Sequence, residues 1–177
     1  RPAVQLYLIR HPRPAVAEGL CYGRSDLGLA ESARAVADRL MPQLPADVPV
    51  YSSPLRRCRE LAEALHPAPI FDARLMEMNF GAWEMRAWAD LRNGEMDAWL
   101  ADLLGFRPPG GESAGMLRDR VADFVRERRR EGCEAAVLVT HAGVMKVIAG
   151  ALQGRPDTEW FSMTFDYGAL VAVSLPR

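Results

Sequence analysis

The apolar positions of the chain follow two periods that alternate along its length. VQLYLI at residues 4–9, VPVYSS at 48–53, AAVLVT at 135–140 and LVAVSL at 170–175 are short, nearly unbroken apolar runs. They predict strands covered by helices on both faces. PIF around Ile70 predicts a short extra strand. Between the runs a helical period predicts helices at residues 30–41, 55–65, 96–103, 113–130 and 144–152. In the fourth of these, Val121 shares a face with Met116 or Leu117 and with Phe124 or Val125, and the opposite face is charged. That pattern fits a helix lying on a sheet. Strands alternating with helices predict an α/β fold: three α/β/α layers around a mostly parallel central sheet.

Residues 77–113 break the alternation. They carry Trp83, Trp88 and Trp99, then FRPPGGES. The segment is too short for a second domain and reads as a crossover standing over one edge of the sheet, as a wall or lid. The expectation is one domain over residues 1–177.

Composition narrows the function classes. With 49% apolar residues the chain can bury a sizeable core. The 22 basic and 23 acidic residues leave a formal charge of −1, which argues against a nucleic-acid or anionic-membrane binder. Cys21, Cys58 and Cys133 are odd in number and widely spaced, so neither a disulfide framework nor a zinc site is expected. No signal-peptide pattern precedes the first strand, and no apolar run reaches membrane length. The expected setting is reducing and cytoplasmic. Lys146 is the only lysine; every other basic side chain is arginine, which holds phosphate through a bidentate fork.

Unusual residues collect at three strand ends. The first ends in IRHP with Arg10 and His11; the second in YSSPLRRCREL with Arg56 and Arg57; the third in VTHAGVMK with His141. Ligands of open α/β sheets bind beyond the carboxyl ends of the strands, so parallel strands would bring these residues to one edge. Arginine forks, free N–H groups of the helix after His141, and close approach at Ala142 and Gly143 would suit a phosphoryl group. Two arginines in a first helical turn oppose the helix dipole, a cost easier to understand with an anion nearby. Arg10 beside His11 should make the imidazole harder to protonate. A zinc site from His11 and His141 is disfavoured, because adjoining arginines repel a cation. His66 reads as a structural loop histidine, and Glu112 and Ser113 as caps of the long helix.

These motifs resemble the histidine phosphatase superfamily, also called phosphoglycerate mutase-like. LIRHP resembles its Arg-His-Gly signature, and YSSPLRRCRELAEAL resembles its Ser-x-Leu-x-Arg pattern, which selects Arg57 over Arg56. RLMEMNFGAWE resembles the segment carrying the family's acid, at Glu77. Glu84 is the rival, and otherwise reads as a surface carboxylate. VLVTHAGVMK resembles the second-histidine motif, at His141. RHPRPAVAEGLCYGRSDLGL and FRPPGGES look most like short bacterial α-ribazole phosphatases of cobalamin synthesis. Pro12 stands where the family usually has glycine, and Ala17 where many members have an asparagine.

The resemblance implies a phosphoglycerate mutase-like fold and hydrolysis of a small-molecule phosphomonoester through a phosphohistidine on His11. Arg10, Arg57 and His141 would surround the phosphoryl oxygens, and Glu77 would act as acid and base. Arg24, Ala142 and Arg107 are further substrate-binding candidates, and inorganic phosphate or sulfate would fit the same site. Neither metal nor cofactor is expected, and a homodimer is the base-rate expectation. The rivals are a phosphoglycerate mutase, a protein phosphohistidine phosphatase, and a non-catalytic phosphate-binding module on the same fold.

Overall fold

The computed structural model describes residues 3–92 and 94–176. In chain order its elements are β1 (Val4–Arg10), α1 (Ala33–Leu40), β2 (Val50–Ser52), α2 (Arg56–Leu65), β3 (Ile70–Phe71), α3 (Trp88–Leu91), α4 (Asp97–Ala101), α5 (Ala114–Arg130), β4 (Ala135–Thr140), α6 (Ala142–Ala149), α7 (Asp157–Phe161) and β5 (Leu170–Leu175). The strands form one sheet in the order β3-β2-β4-β1-β5, parallel except for β5. The mostly parallel three-layer expectation is met. Helices α3 and α7 have no counterpart in the apolar pattern, being only four and five residues long.

The apolar runs of β1 and β4 are explained by burial on both faces, whereas β5 at the sheet edge buries only alternate residues toward its end. Leu6 and Leu8 of β1, with Ala136 and Leu138 of β4, join α5, α6 and α7 in one core. Ile9 of β1, with Val137 and Val139 of β4, joins α1 and α2 in the other. Successive side chains of a strand point to opposite faces, so two cores draw apolar residues from successive positions; the exception in β1 is the exposed Gln5 near its start.

Helix boundaries follow local chemistry. The Ser32 side chain accepts from the Ala35 N–H at the start of α1, and Ser113 accepts from Met116 N–H at the start of α5. Arginines at 128–130 sit in the last turn of α5, where the dipole favours them. Helix α2 begins with two arginines, and the anion at its start is internal: Asp26 accepts from the Arg56 N–H at 2.7 Å. The negative charge expected beside that first turn is therefore a carboxylate of the protein.

The segment over the sheet edge is an aromatic wall. Phe80, Trp88 and Trp99 meet with ring centroids 5.6–6.1 Å apart. Trp83 adds contacts to Trp99 and Phe106 at 5.9 and 5.5 Å. Among the described residues no helix is long and apolar enough to cross a membrane.

The α5 side of the core should be sensitive at Phe124. This ring is fully buried, meets Tyr51 edge-on at 5.3 Å and carries the Arg128 guanidinium 4.8 Å from its centroid. Phe124→Ala is expected to lower the free energy of unfolding by about 3–5 kcal/mol. Urea titration checks this; a loss under about 1 kcal/mol would contradict the packing described.

Candidate active site

The sheet register assembles the site. Arg10 at the end of β1 pairs with Thr140 at the end of β4, and Ser52 of β2 pairs with Val139. The pairing continues one residue further: the His11 N–H donates to Thr140 O at 3.1 Å, and the Ser53 N–H to Val139 O at 2.9 Å. Three chain segments thus leave the sheet side by side. His11 and His141, 130 positions apart in sequence, come together with ring centroids 5.2 Å apart. Both are buried, His11 at 1% exposure and His141 at 0%.

The protonation pattern of His11 follows from one contact. Its Nδ1 lies 2.7 Å from the Pro12 carbonyl oxygen. A carbonyl can only accept, so Nδ1 carries the proton and the Nε2 lone pair is left free. Pro12, which has no N–H, contributes its carbonyl instead. His11 is pushed down to about 3, first by burial and then by the Arg57 charge; the Pro12 hydrogen bond partly offsets this, and Arg10 adds a smaller push. The direction expected of Arg10 holds, but it is the smallest of the contributions. Burial disfavours any charged imidazole, and the non-adjacent arginine contributes more than the adjacent one.

His141 is held by different partners. Its Nε2 shares a 2.8 Å hydrogen bond with the Ser53 hydroxyl, and Cys58 Sγ lies 3.4 Å from the same nitrogen. Burial, then His11, then Arg57 drive it well below its ordinary value. Burial pushes the Cys58 thiol up, leaving it protonated.

The two arginines are fixed by backbone. Arg57, with no exposure, donates to Ser25 O and Gly23 O, both at 2.6 Å. Arg10 donates to Phe165 O at 2.7 Å. The Nε–H groups of both are buried with no hydrogen-bond partner among the described residues. Arginine offers five donors, so each retains capacity for an anion. Arg56 is turned away to Glu60. The choice of Arg57 over Arg56 thus agrees with which guanidinium lies inward.

Glu77 reaches the same cavity from the wall segment. Its two carboxylate oxygens accept from the Met78 N–H at 2.9 Å and the Gly143 N–H at 3.0 Å. The Gly143 N–H is one of the α6 donors that the sequence reserves for a ligand; the protein's own carboxylate takes it. Gly143 is small for the same reason: a Cβ there would stand 2.1 Å from Glu77 Oε1. The rival carboxylate, Glu84, is fully employed elsewhere. It accepts from the Gly23 and Ser25 N–H groups, the Ser25 hydroxyl and the Phe80 N–H, pinning the loop after β1 to the wall. It is neither a surface carboxylate nor a cavity residue. Glu112 does not cap α5 either; it accepts from the Asn79 N–H and from Arg120.

A cavity of 490 Å³ opens in front of this group, lined by Arg10, His11, Arg57 and Glu77 and walled by Tyr22, Phe80, Trp88 and Tyr167. Ala17 also lines it. Other sequence candidates lie outside its lining, among them the fully buried His141, which packs against the His11 ring. Arg24 donates to the Glu77 carbonyl and pairs with Glu112 at 3.7 Å, and Arg107 donates to Gly111 O. Ala142 lines a smaller neighbouring cavity with Lys146. His66 accepts the Ala68 N–H in its own loop, as a structural residue does. Among the described residues no cluster of three or more His, Cys, Asp or Glu could hold a metal ion. Ser53, Tyr22 and Tyr167 escaped sequence reasoning; the signals were a second serine at a strand end and tyrosines beside Gly23 and Gly168.

Comparison with known proteins agrees with this geometry. The family model described as histidine phosphatase superfamily (branch 1) matches residues 6–177. The adenosylcobalamin/alpha-ribazole phosphatase of Salmonella typhimurium is 28% identical, over 97% of this chain and 91% of its own. Among solved structures, a phosphoglycerate mutase from Thermus thermophilus is 35% identical with a TM-score of 0.78, covering 98% of this chain and 95% of that one. A mycobacterial glucosyl-3-phosphoglycerate phosphatase is 26% identical with a TM-score of 0.83, over 97% and 90%. With the match running from the first strand past the last, the chain belongs to the histidine phosphatase superfamily, among relatives that are phosphatases and mutases.

Proposed function

We propose that the protein hydrolyses a small-molecule phosphomonoester through a phosphohistidine on His11. The observation that carries this reading is the His11 tautomer: a neutral ring whose free Nε2 lone pair belongs to a residue lining the cavity, beside two arginines. Nε2 attacks phosphorus in line, and the ester P–O bond breaks with its electron pair leaving on the alcohol oxygen. Glu77 hands that oxygen a proton. Water then attacks the phosphohistidine, Glu77 takes a proton from it, and the N–P bond breaks to restore the lone pair on Nε2. Arg10, Arg57 and His141 stabilise the charge that spreads over the equatorial oxygens.

The substrate class follows from the walls. A cavity flanked by aromatic rings suits a compact organic phosphate better than a protein side chain on a broad surface. The Salmonella relative makes α-ribazole phosphate the first substrate to try. The second reading is a mutase, favoured by the likeness to the Thermus protein. Both share the phosphohistidine; they differ in whether water or an alcohol receives the group, and analysis of isomerised phosphoglycerate separates them.

His11→Ala is expected to lower kcat on a generic phosphomonoester by about 10⁴-fold or more while inorganic phosphate still binds. A chelator should leave the wild-type rate unchanged, since arginines supply the positive charge. Retained turnover in the variant, or loss of turnover with chelator, would contradict the mechanism. Gly143→Ala tests the acid: the added methyl displaces Glu77, and kcat/KM should fall by roughly 10²-fold with the circular dichroism spectrum unchanged. A fall of less than about twofold would remove Glu77 from the chemistry.

A further inference from the structure

One wall of the cavity holds a pair of tyrosines that the proposed chemistry does not use. Tyr22 lies in the loop after β1, and Tyr167 in the turn before β5. Their hydroxyls are 3.0 Å apart. The Tyr167 ring lies over the Arg10 guanidinium, 4.1 Å from its central carbon, and 5.8 Å from the His11 ring. The Tyr22 ring lies 5.2 Å from the central carbon of Arg57. Each tyrosine therefore covers one arginine, and the shared hydrogen bond joins the two covers.

Both rings are anchored to the site from behind. The Gly168 N–H donates to the carbonyls of Arg10 and His11 at 3.0 and 3.2 Å, and the Arg10 N–H donates to Ala169 O at 3.1 Å. The turn of Tyr167 is thus fastened to the end of β1. On the other side the Cys21 N–H donates to Arg86 O at 2.7 Å, and the Gly23 N–H to Glu84 at 3.0 Å. Gly23 also receives one of the Arg57 hydrogen bonds, at 2.6 Å. The contacts form a chain: Arg10, Tyr167, Tyr22, Arg57. Burial, helped by the Tyr167 hydroxyl, pushes the Tyr22 phenol up, so it keeps its proton and the link persists at working pH.

We propose that Tyr22 and Tyr167 are positioning residues, a two-ring clasp that holds the Arg10 and Arg57 guanidiniums ready for a phosphoryl group and couples them into one unit. The inference rests on the phosphoryl-site reading above. Arginine side chains that are already ordered lose less freedom when they bind, and a guanidinium covered by an aromatic face loses competing water. Both arginines line the cavity, and each keeps a buried Nε–H with no hydrogen-bond partner among the described residues.

The test is calorimetric titration with inorganic phosphate of the wild type, Tyr22→Phe, Tyr167→Phe and the double variant, with melting temperatures measured alongside. Each single change removes the same hydroxyl bond and keeps the rings. Each should weaken phosphate binding by about three- to tenfold, and the double variant should be no worse than about twofold beyond the weaker single. Tyr167→Ala, which uncovers Arg10, should weaken binding by about a further tenfold. The same losses should appear in kcat/KM. Unchanged phosphate affinity in the folded single variants overturns the clasp, even if their melting temperatures drop. So does a double variant whose loss is the product of the single losses. A wild type that binds no phosphate overturns the underlying reading as well; one that binds, with variants that bind equally, overturns the clasp alone.

Discussion

The hydrogen bond from His11 Nδ1 to the Pro12 carbonyl is the contact on which the site depends. At 2.7 Å and buried, it leaves one consistent arrangement of the imidazole proton. The Nε2 lone pair is therefore defined by the backbone of the next residue rather than by a catalytic partner. Proline suits the position, because its fixed φ restricts the turn that carries the accepting carbonyl. The departure from the family's usual glycine removes an N–H donor and leaves this acceptor in place.

The sheet does the rest of the positioning. β1 lies between β4 and β5, so the chain segment bearing His11 is held from both sides as it leaves the sheet. Its N–H bonds Thr140 O and its carbonyl receives the Gly168 N–H. Burial then sets the charge state: two histidines and two arginines share one region, and the imidazoles are the groups that give up their protons. Glu77 completes the group from the wall, held at the start of α6 by a donor that only a glycine leaves within reach.

Much of this was legible in the chain. Strands buried on both faces leave unbroken apolar runs, as β4 does over its predicted span; β5, an antiparallel edge strand, also coincides with its predicted span but buries only Val173 and Leu175. The two histidines stood out because each ends such a run. What escaped was partnership between distant polar groups. Asp26 at the start of α2, Glu84 beneath the Gly23 loop and Glu112 against Arg120 carry no periodic signal; each acts through a contact the chain brings together only on folding. The adjacency of Arg10 and His11 showed only a small part of the electrostatics for the same reason. Neighbours in sequence at a strand end point their side chains apart, and Arg57, arriving from another part of the chain, exerts the larger effect.

The central claim is that His11 is neutral, protonated at Nδ1 and free at Nε2. Nitrogen-15 NMR of histidine-labelled protein, with the His11 signals assigned by their loss in His11→Ala, tests it directly. The expected result is an Nδ1–H tautomer at neutral pH that does not titrate near 6.5 and takes up a proton only toward a pH of about 3. An Nε2–H tautomer, or a midpoint near the ordinary histidine value of about 6.5, would contradict it.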